Sequence, residues 1–230
     1  MARQNKAASN DKAKLSTQEH CVIHPRGNQK RYINSIQDNV ITIVYGPPGT
    51  GKSLMALYTG FRLMARGKIE KIYYVKPDVG MYGQRSRGFL PGNALEKAWP
   101  LIGPVLDNLC QFMPREQAMY HVEKGTVEVL ILEDLRGRSF ENSLVFLDEA
   151  QNTLPPHVKT FLTRVGEGSH FVLAGDTDQS DQKPEFAQQN GLADVIQRLY
   201  GLEGVGIVEF NRDDIQRHPL IAHVLERFDD

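Results

Sequence analysis

The segment Gly46-Pro47-Pro48-Gly49-Thr50-Gly51-Lys52-Ser53 constrains this chain more than any other. It fits the pattern Gly-x-x-x-x-Gly-Lys-Ser/Thr, and it has the flanks that pattern needs. Before it, Val40 to Tyr45 is a short apolar run rich in β-branched residues, which reads as a buried strand. After it, Leu54, Leu57, Phe61 and Met64 recur at helical spacing across Ser53 to Met64. Glycines let successive backbone N–H groups turn inward, and the helix that follows adds the positive end of its dipole. Such a loop is a cradle for phosphate. On this reading Lys52 reaches the β- and γ-phosphates of a nucleoside triphosphate, and the Ser53 hydroxyl takes a Mg2+ coordination site. With glycine at about 7% of residues, a chance match in a chain this long is about a one-in-a-hundred event. The strand–loop–helix setting makes chance rarer still.

The rest of the chain alternates in the same way. Strands are expected at Lys71–Val75, Thr126–Leu132, Leu144–Leu147, His170–Ala174 and Gly206–Phe210, and helices at Pro155–Val165 and Leu192–Leu199. Between Asn93 and Met113, Leu95, Trp99, Ile102, Leu106 and Leu109 keep helical spacing, but Pro100 and Pro104 interrupt it. Two short helices or a kink are predicted there. The fold class is therefore α/β: a P-loop, mostly parallel sheet with helices on both faces. At 230 residues the chain suffices for one sizeable core. Met1 to Thr17 reads as a basic disordered tail, either solubilising or a nucleic-acid-binding arm, and residues 18–230 as the folded domain.

A net charge of -1 gives no global pull toward nucleic acid or anionic membrane, so any such binding must come from local patches. Cys21 and Cys110 are far apart and in no CxxC pair, which fits a reducing compartment. The polar N-terminus lacks an apolar signal region, and no run approaches a membrane span, so a cytoplasmic protein with no membrane partner is expected. His20, Cys21 and His24 are close together, but no fourth ligand follows at a zinc spacing.

Asp148 and Glu149 close the apolar run Val145-Phe146-Leu147. Ligands of open α/β sheets sit outside the carboxyl ends of strands, so this pair is expected to face the glycine loop. Asp148 would hold Mg2+ together with Ser53, and Glu149 would polarise an attacking water, which makes the reaction hydrolysis. The bland alternative is an acidic cap on the helix that follows. Gly175-Asp176-Thr177-Asp178-Gln179 repeats the logic at the next strand end, with Gln179 able to report on the γ-phosphate and Asp176 supporting the metal side. A simple Gly-Asp turn is the competing reading.

These pieces, in this order, resemble the PhoH family of ATPases, which is related to helicase-type P-loop proteins. The resemblance runs from about Asn28 to Phe228. It rests on Gly46 to Ser53, Gly88-Phe89-Leu90-Pro91-Gly92, Leu135-Arg136-Gly137-Arg138, Asp148-Glu149-Ala150-Gln151-Asn152-Thr153, Phe161-Leu162-Thr163-Arg164, Gly175-Asp176 with Gln179, and Arg217-His218-Pro219-Leu220. It implies a single RecA-like ATPase core that uses ATP and Mg2+. Gln29 looks like the glutamine that reads adenine in helicase-type proteins, and Tyr32 is placed to stack on the base; either residue fits equally well as an ordinary part of an opening helix. The nucleotide-binding set is then Gln29, Gly46, Pro47, Pro48, Gly49, Thr50, Gly51, Lys52, Ser53 and Leu54, with Lys52, Asp148, Glu149, Gln179 and Arg217 catalytic. Where the family usually shows Arg-Pro after the second strand, this chain has Lys76-Pro77, and Lys is the weaker bidentate partner.

Helicase-type motors hold ATP between two such cores, and the second supplies an arginine worth about 10³–10⁵ in turnover. A single core points to a homo-oligomer, a ring or dimer, with shared ATP sites. Arg217 is the first candidate for the finger, with Arg212, Arg164 and Arg138 behind it. The leading function is ATP hydrolysis coupled to RNA or single-stranded DNA, with basic residues Arg85, Arg87, Arg136 and Arg138 and aromatics Tyr82 and Phe89 as contacts. A subunit interface would use the same residues. The alternative is an ATP-controlled assembly or partner switch. A small-molecule kinase is disfavoured by Glu149.

Overall fold

The computed structural model of the protein describes residues 23–77, 94–177 and 190–216. Within them the chain runs α1 (Gly27–Asp38), β1 (Ile41–Tyr45), α2 (Lys52–Ala65), β2 (Lys71–Lys76), α3 (Ala94–Leu109), α4 (Arg115–Glu123), β3 (Val127–Ile131), β4 (Ser143–Leu147), α5 (Pro155–Leu162), β5 (His170–Gly175), α6 (Gly191–Leu199) and β6 (Val205–Glu209). The described strands form one sheet in the order β3-β2-β4-β5-β1-β6, and every pairing is parallel.

Side-chain alternation along the central strands explains why both faces must be covered. Val44, Leu144, Phe146, Val172 and Ala174 point to one face, where they pack with Tyr32 and Ile36 of α1, Met55 and Leu57 of α2, and Val105 and Leu109 of α3. Their neighbours Ile43, Val145, Leu147, Phe171 and Leu173 point the other way, onto Val158 and Phe161 of α5 and Leu192 and Val195 of α6. The all-parallel sheet with helices on both faces is the architecture the alternating pattern predicts.

Two features depart from expectation. First, of the two outcomes expected at Pro100 and Pro104, the break into two short helices does not occur: α3 runs as one helix through both. Each internal proline costs about 3 kcal/mol of helix stability. Ile102, Val105, Leu106 and Leu109 are all buried against the sheet, and that packing outweighs the lost amide bonds. Second, α4 carries a weak apolar pattern that sequence reasoning passed over; only Ala118 and His121 are buried on it. Among the described residues no helix is long and apolar enough to cross a membrane. The tail Met1–Thr17, His20, Cys21, Tyr82, Arg85, Arg87, Phe89, Gln179 and Arg217 all lie outside the described residues.

His121 meets the ring of Phe61 edge-on at 4.8 Å, and among the described residues neither of its ring nitrogens has a hydrogen-bond partner. Burial lowers its pKa from the ordinary 6.5, so the folded protein holds the imidazole neutral. The unfolded chain then takes up a proton that the folded chain refuses. The resulting stability is complete above pH 6.5 and declines as pH falls from there toward the lower folded-state pKa. Urea denaturation at pH 7.5 and pH 5.5 is expected to show a smaller loss in His121→Leu than in the parent, by at most about 1.4 kcal/mol per pH unit. Equal losses in the two proteins would show that His121 does not set this dependence.

Candidate nucleotide site

The pairing of β5 between β1 and β4 sets Tyr45, Leu147 and Gly175 at neighbouring carboxyl ends. A cleft of about 440 Å³ opens above them, lined in part by Pro48 to Leu54, Asp148, Glu149 and Asp176. Chain order reverses across this edge, because β1 leads by way of α2 to β2, two strands beyond β5. That is where open α/β sheets bind ligands.

The loop owes its shape to glycines. Gly46 has φ +132°, and a Cβ there would come within 2.1 Å of the Phe210 carbonyl oxygen, so only glycine lets the loop pass β6's exit. Gly49 (φ 80°) and Gly51 (φ 85°) adopt left-handed conformations, and Gly51 is the residue that starts α2. Thr50 is buried and its hydroxyl donates to the Pro47 carbonyl at 3.1 Å. The Lys52 ammonium donates to the carbonyls of Gly46 (2.6 Å) and Pro47 (2.9 Å), which holds it inside the curl of the loop. From the far side the Gln216 backbone N–H donates to the Gly49 carbonyl at 2.9 Å.

Gln29 lies behind the loop rather than over the cleft. It is 2% exposed, its Nε2 donates to the Thr50 carbonyl at 3.0 Å, and its Oε1 accepts from the Arg26 backbone N–H at 3.1 Å. The visible role of this amide is to tie α1 to the phosphate loop. Tyr32 corrects the expectation that it stacks on a base. It is fully buried in the core, edge-on to Phe210 at 5.9 Å, because α1 turns it toward the sheet.

Asp148, buried at the end of β4, gathers several donors. The Ser53 hydroxyl meets its two oxygens at 3.1 and 3.2 Å, the Glu149 backbone N–H donates at 3.1 Å, and the Tyr74 hydroxyl donates to Oδ2. The Ser53–Asp148 pairing thus brings together the two residues read as metal-holding. Both offer hard oxygen, the donor type Mg2+ takes, and a site with so few protein ligands suits an ion whose shell is completed by phosphates and water. The cleft's charge argues the same way. Among the described residues its charged lining is Lys52 against Asp148, Glu149 and Asp176, a balance that favours a cation beside a bound polyphosphate.

Glu149 follows with φ 55° and ψ 40°, a left-handed conformation that costs a non-glycine residue about 1–2 kcal/mol. This turn sends its side chain to the cleft instead of onward along the strand. Removal of water by the surrounding protein raises its pKa, and the Asp148 charge adds to the rise; a hydrogen bond from Gln151, then Lys76 and Lys52, oppose it. Gln151 donates from Nε2 to Glu149 Oε2 at 2.6 Å and accepts at Oε1 from the Asp176 N–H at 3.1 Å.

The structure therefore brings Pro48 to Leu54, Asp148 and Glu149 around one cleft, with Gly46 and Pro47 holding Lys52 through their carbonyls and Gln29 behind the loop. Arg138 and Arg164 are elsewhere. Arg138 pairs with Glu128 at 3.3 Å and stacks on Tyr73 and Phe140, while Arg164 donates to the carbonyls of Thr160 and Arg138. Sequence reasoning passed over Tyr74, Asn108, Gln111 and Gln216 and gave Gln151 no role. For Gln151 the signal was its place two residues beyond Glu149; for Asn108 and Gln111, which reach the cleft from the end of α3, there was none.

A glycine loop between strand and helix, with a lysine inside it and a serine facing the aspartate of a nearby strand end, defines a P-loop NTPase core of RecA-like type. A family model described as "PhoH-like protein" matches residues 22–229. The PhoH-like protein of Bacillus subtilis (strain 168) is 35% identical over 201 residues, covering 87% of this chain and 62% of the relative. Protein PhoH of Escherichia coli (strain K12) is 32% identical over 202 residues, covering 87% and 56%. The chain belongs to the PhoH-like family, and it spans about three fifths of the length of these curated relatives. Distant likenesses include the Pyrococcus furiosus Hef helicase domain (17% identity, TM-score 0.45, covering 84% of this chain and 39% of that one). The UvsW helicase of bacteriophage T4 is another, at 16% identity and TM-score 0.47, with coverage of 86% and 64%.

Tyr74→Phe tests the metal reading without touching a ligand. The variant keeps the buried ring and removes one hydrogen bond to a charged group, costing about 1.5–3 kcal/mol of stability. Partners that orient a metal ligand are worth about 10- to 100-fold in metal affinity. The Mg2+ concentration for half-maximal binding of a fluorescent ATP analogue is expected to rise about tenfold. An unchanged Mg2+ requirement would separate Tyr74 from the metal.

Proposed function

We propose that this protein hydrolyses ATP with Mg2+ and couples turnover to RNA or single-stranded DNA, as a homo-oligomer with shared ATP sites. One observation carries the hydrolytic part: Glu149 is turned into the cleft by a strained backbone and held by Gln151, beside Asp148 and the phosphate loop. A carboxylate so placed serves to polarise water. Bound Mg2+ would neutralise charge developing on the phosphates, with Ser53 and Asp148 holding it. Lys52 orients the phosphates, and the loop N–H groups receive them. The preference for ATP follows the family rather than a base contact, since Gln29's amide is engaged behind the loop.

Among the described residues lining the cleft Lys52 is the one cation. The shared site follows from the single core: helicase-type sites are completed by an arginine from a second core, and a second copy of this chain would supply it, with Arg217 the first candidate. Coupling to nucleic acid rests on the helicase-type motif set; the competing reading is a nucleotide-controlled assembly switch.

Glu149→Gln is expected to bind ATP within threefold of the parent and to lose about 10²- to 10⁴-fold in turnover. Parental turnover in this variant would remove Glu149 as the base. Specific ATPase activity is expected to rise with protein concentration, and Arg217→Ala to abolish that rise. Full activity in a demonstrated monomer would overturn the shared site. Single-stranded RNA should stimulate the rate in a salt-sensitive manner. Nucleotide-dependent assembly without stimulation would favour the switch.

A further inference from the structure

Gln151 is 4% exposed and lies between two strand ends, in the short 3-10 turn Ala150–Asn152 that follows β4. The polarity of its amide is fixed by chemistry. A backbone N–H can only donate, so the atom facing Asp176 N must be the carbonyl oxygen, at 3.1 Å. The amino end then faces Glu149 Oε2, at 2.6 Å. A flipped amide would set donor against donor at Asp176 and acceptor against acceptor at Glu149.

A second, independent observation concerns Gly175. Its backbone needs no left-handed conformation, since it is absent from the positive-φ glycines. Space is what requires glycine there: a Cβ would stand 2.3 Å from Gln151 Oε1, 2.7 Å from Leu192 Cδ2 and 3.1 Å from Gln151 N. The end of β5 is thus cut away where the Gln151 amide docks. Gly175 and Asp176 also line the cleft, so the anchor for the amide is itself part of the nucleotide site.

We propose that Gln151 is the positioning residue for Glu149: anchored on the Asp176 N–H, it aims the Glu149 carboxylate and ties that aim to the end of β5. The role rests on the hydrolytic reading above. Gln151 touches neither phosphate nor metal in this role; it acts through Glu149. A nucleotide that shifts the Asp176 backbone turns Glu149 by way of the amide, which couples the third strand end to the reacting water.

The test is a double-mutant cycle on ATP turnover, with the affinity for a fluorescent ATP analogue measured in parallel. Gln151→Leu is expected to lower kcat about 10- to 100-fold, the range for losing the partner that orients a functional group, with nucleotide Kd within threefold. In a Glu149→Gln background the same change should cost less than twofold, because its effect passes through a carboxylate no longer there. Gln151→Glu keeps an acceptor for the Asp176 N–H but sets a carboxylate against Glu149, so it should lose kcat, with the urea midpoint measured in parallel to separate mispositioning from lost stability. Gly175→Ala, which displaces the amide, should lose kcat without adding to Gln151→Leu.

Parental kcat in Gln151→Leu, or an equal loss in both backgrounds, overturns the positioning role while leaving hydrolysis intact. A parent that binds ATP without turning it over removes the hydrolytic reading, and this role with it.

Discussion

The parallel pairing of β5 between β1 and β4 decides where every functional group can be. Tyr45 is level with Gly175, and Leu147 with Leu173, so the residues leaving these strands emerge within one cleft. The phosphate loop leaves β1, the acidic pair leaves β4, and Asp176 leaves β5. A one-residue slip in either pairing would exchange the residues facing α1, α2 and α3 with those facing α5 and α6, among them Ile43, Val145 and Leu173. Since both faces of these strands are packed, the register of the core and the geometry of the site are one constraint.

Charge is the second organising element. Among the described lining residues three carboxylates face one ammonium, a balance that disfavours a bare polyanion and favours one accompanied by a cation. The acids are distinguished by what holds them. Asp148 is buried and encircled by Ser53, Tyr74 and the Glu149 N–H, which fixes the direction of its carboxylate. Glu149 is exposed at the cleft wall and held there by a single amide, and partial loss of water together with the Asp148 charge moves its pKa up. Two adjacent carboxylates thus acquire different chemistry from different surroundings.

How much of this the sequence revealed depended on range. Gly46 to Ser53 was legible because its chemistry, its backbone needs and its flanking strand and helix are all local. Asp148 and Glu149 were legible because an apolar strand ending in acids has few other uses next to such a loop. Tyr74 was not, since on the page it is one more aromatic in a buried strand, and only pairing of β2 with β4 brings its hydroxyl to Asp148. The run of α3 through two prolines was illegible for the same reason: the compensating packing comes from α2 and the sheet. Gln29 shows the converse, a residue correctly placed near the loop whose visible contacts are structural.

The groups that would meet nucleotide and metal already have partners within the chain. Lys52 is held by the Gly46 and Pro47 carbonyls, and Ser53 by Asp148. Ligand binding therefore exchanges hydrogen bonds rather than adding them, and the net gain per bond is correspondingly modest. What distinguishes the bound state is geometry: Lys52 must leave the loop carbonyls and Ser53 must share Asp148 with the cation. Both movements begin at the first turn of α2, one strand away from the Asp176 N–H that anchors Gln151. The glycine loop and the anchor of the Gln151 amide leave adjacent strands, β1 and β5, whose ends are paired in register at Tyr45 and Gly175.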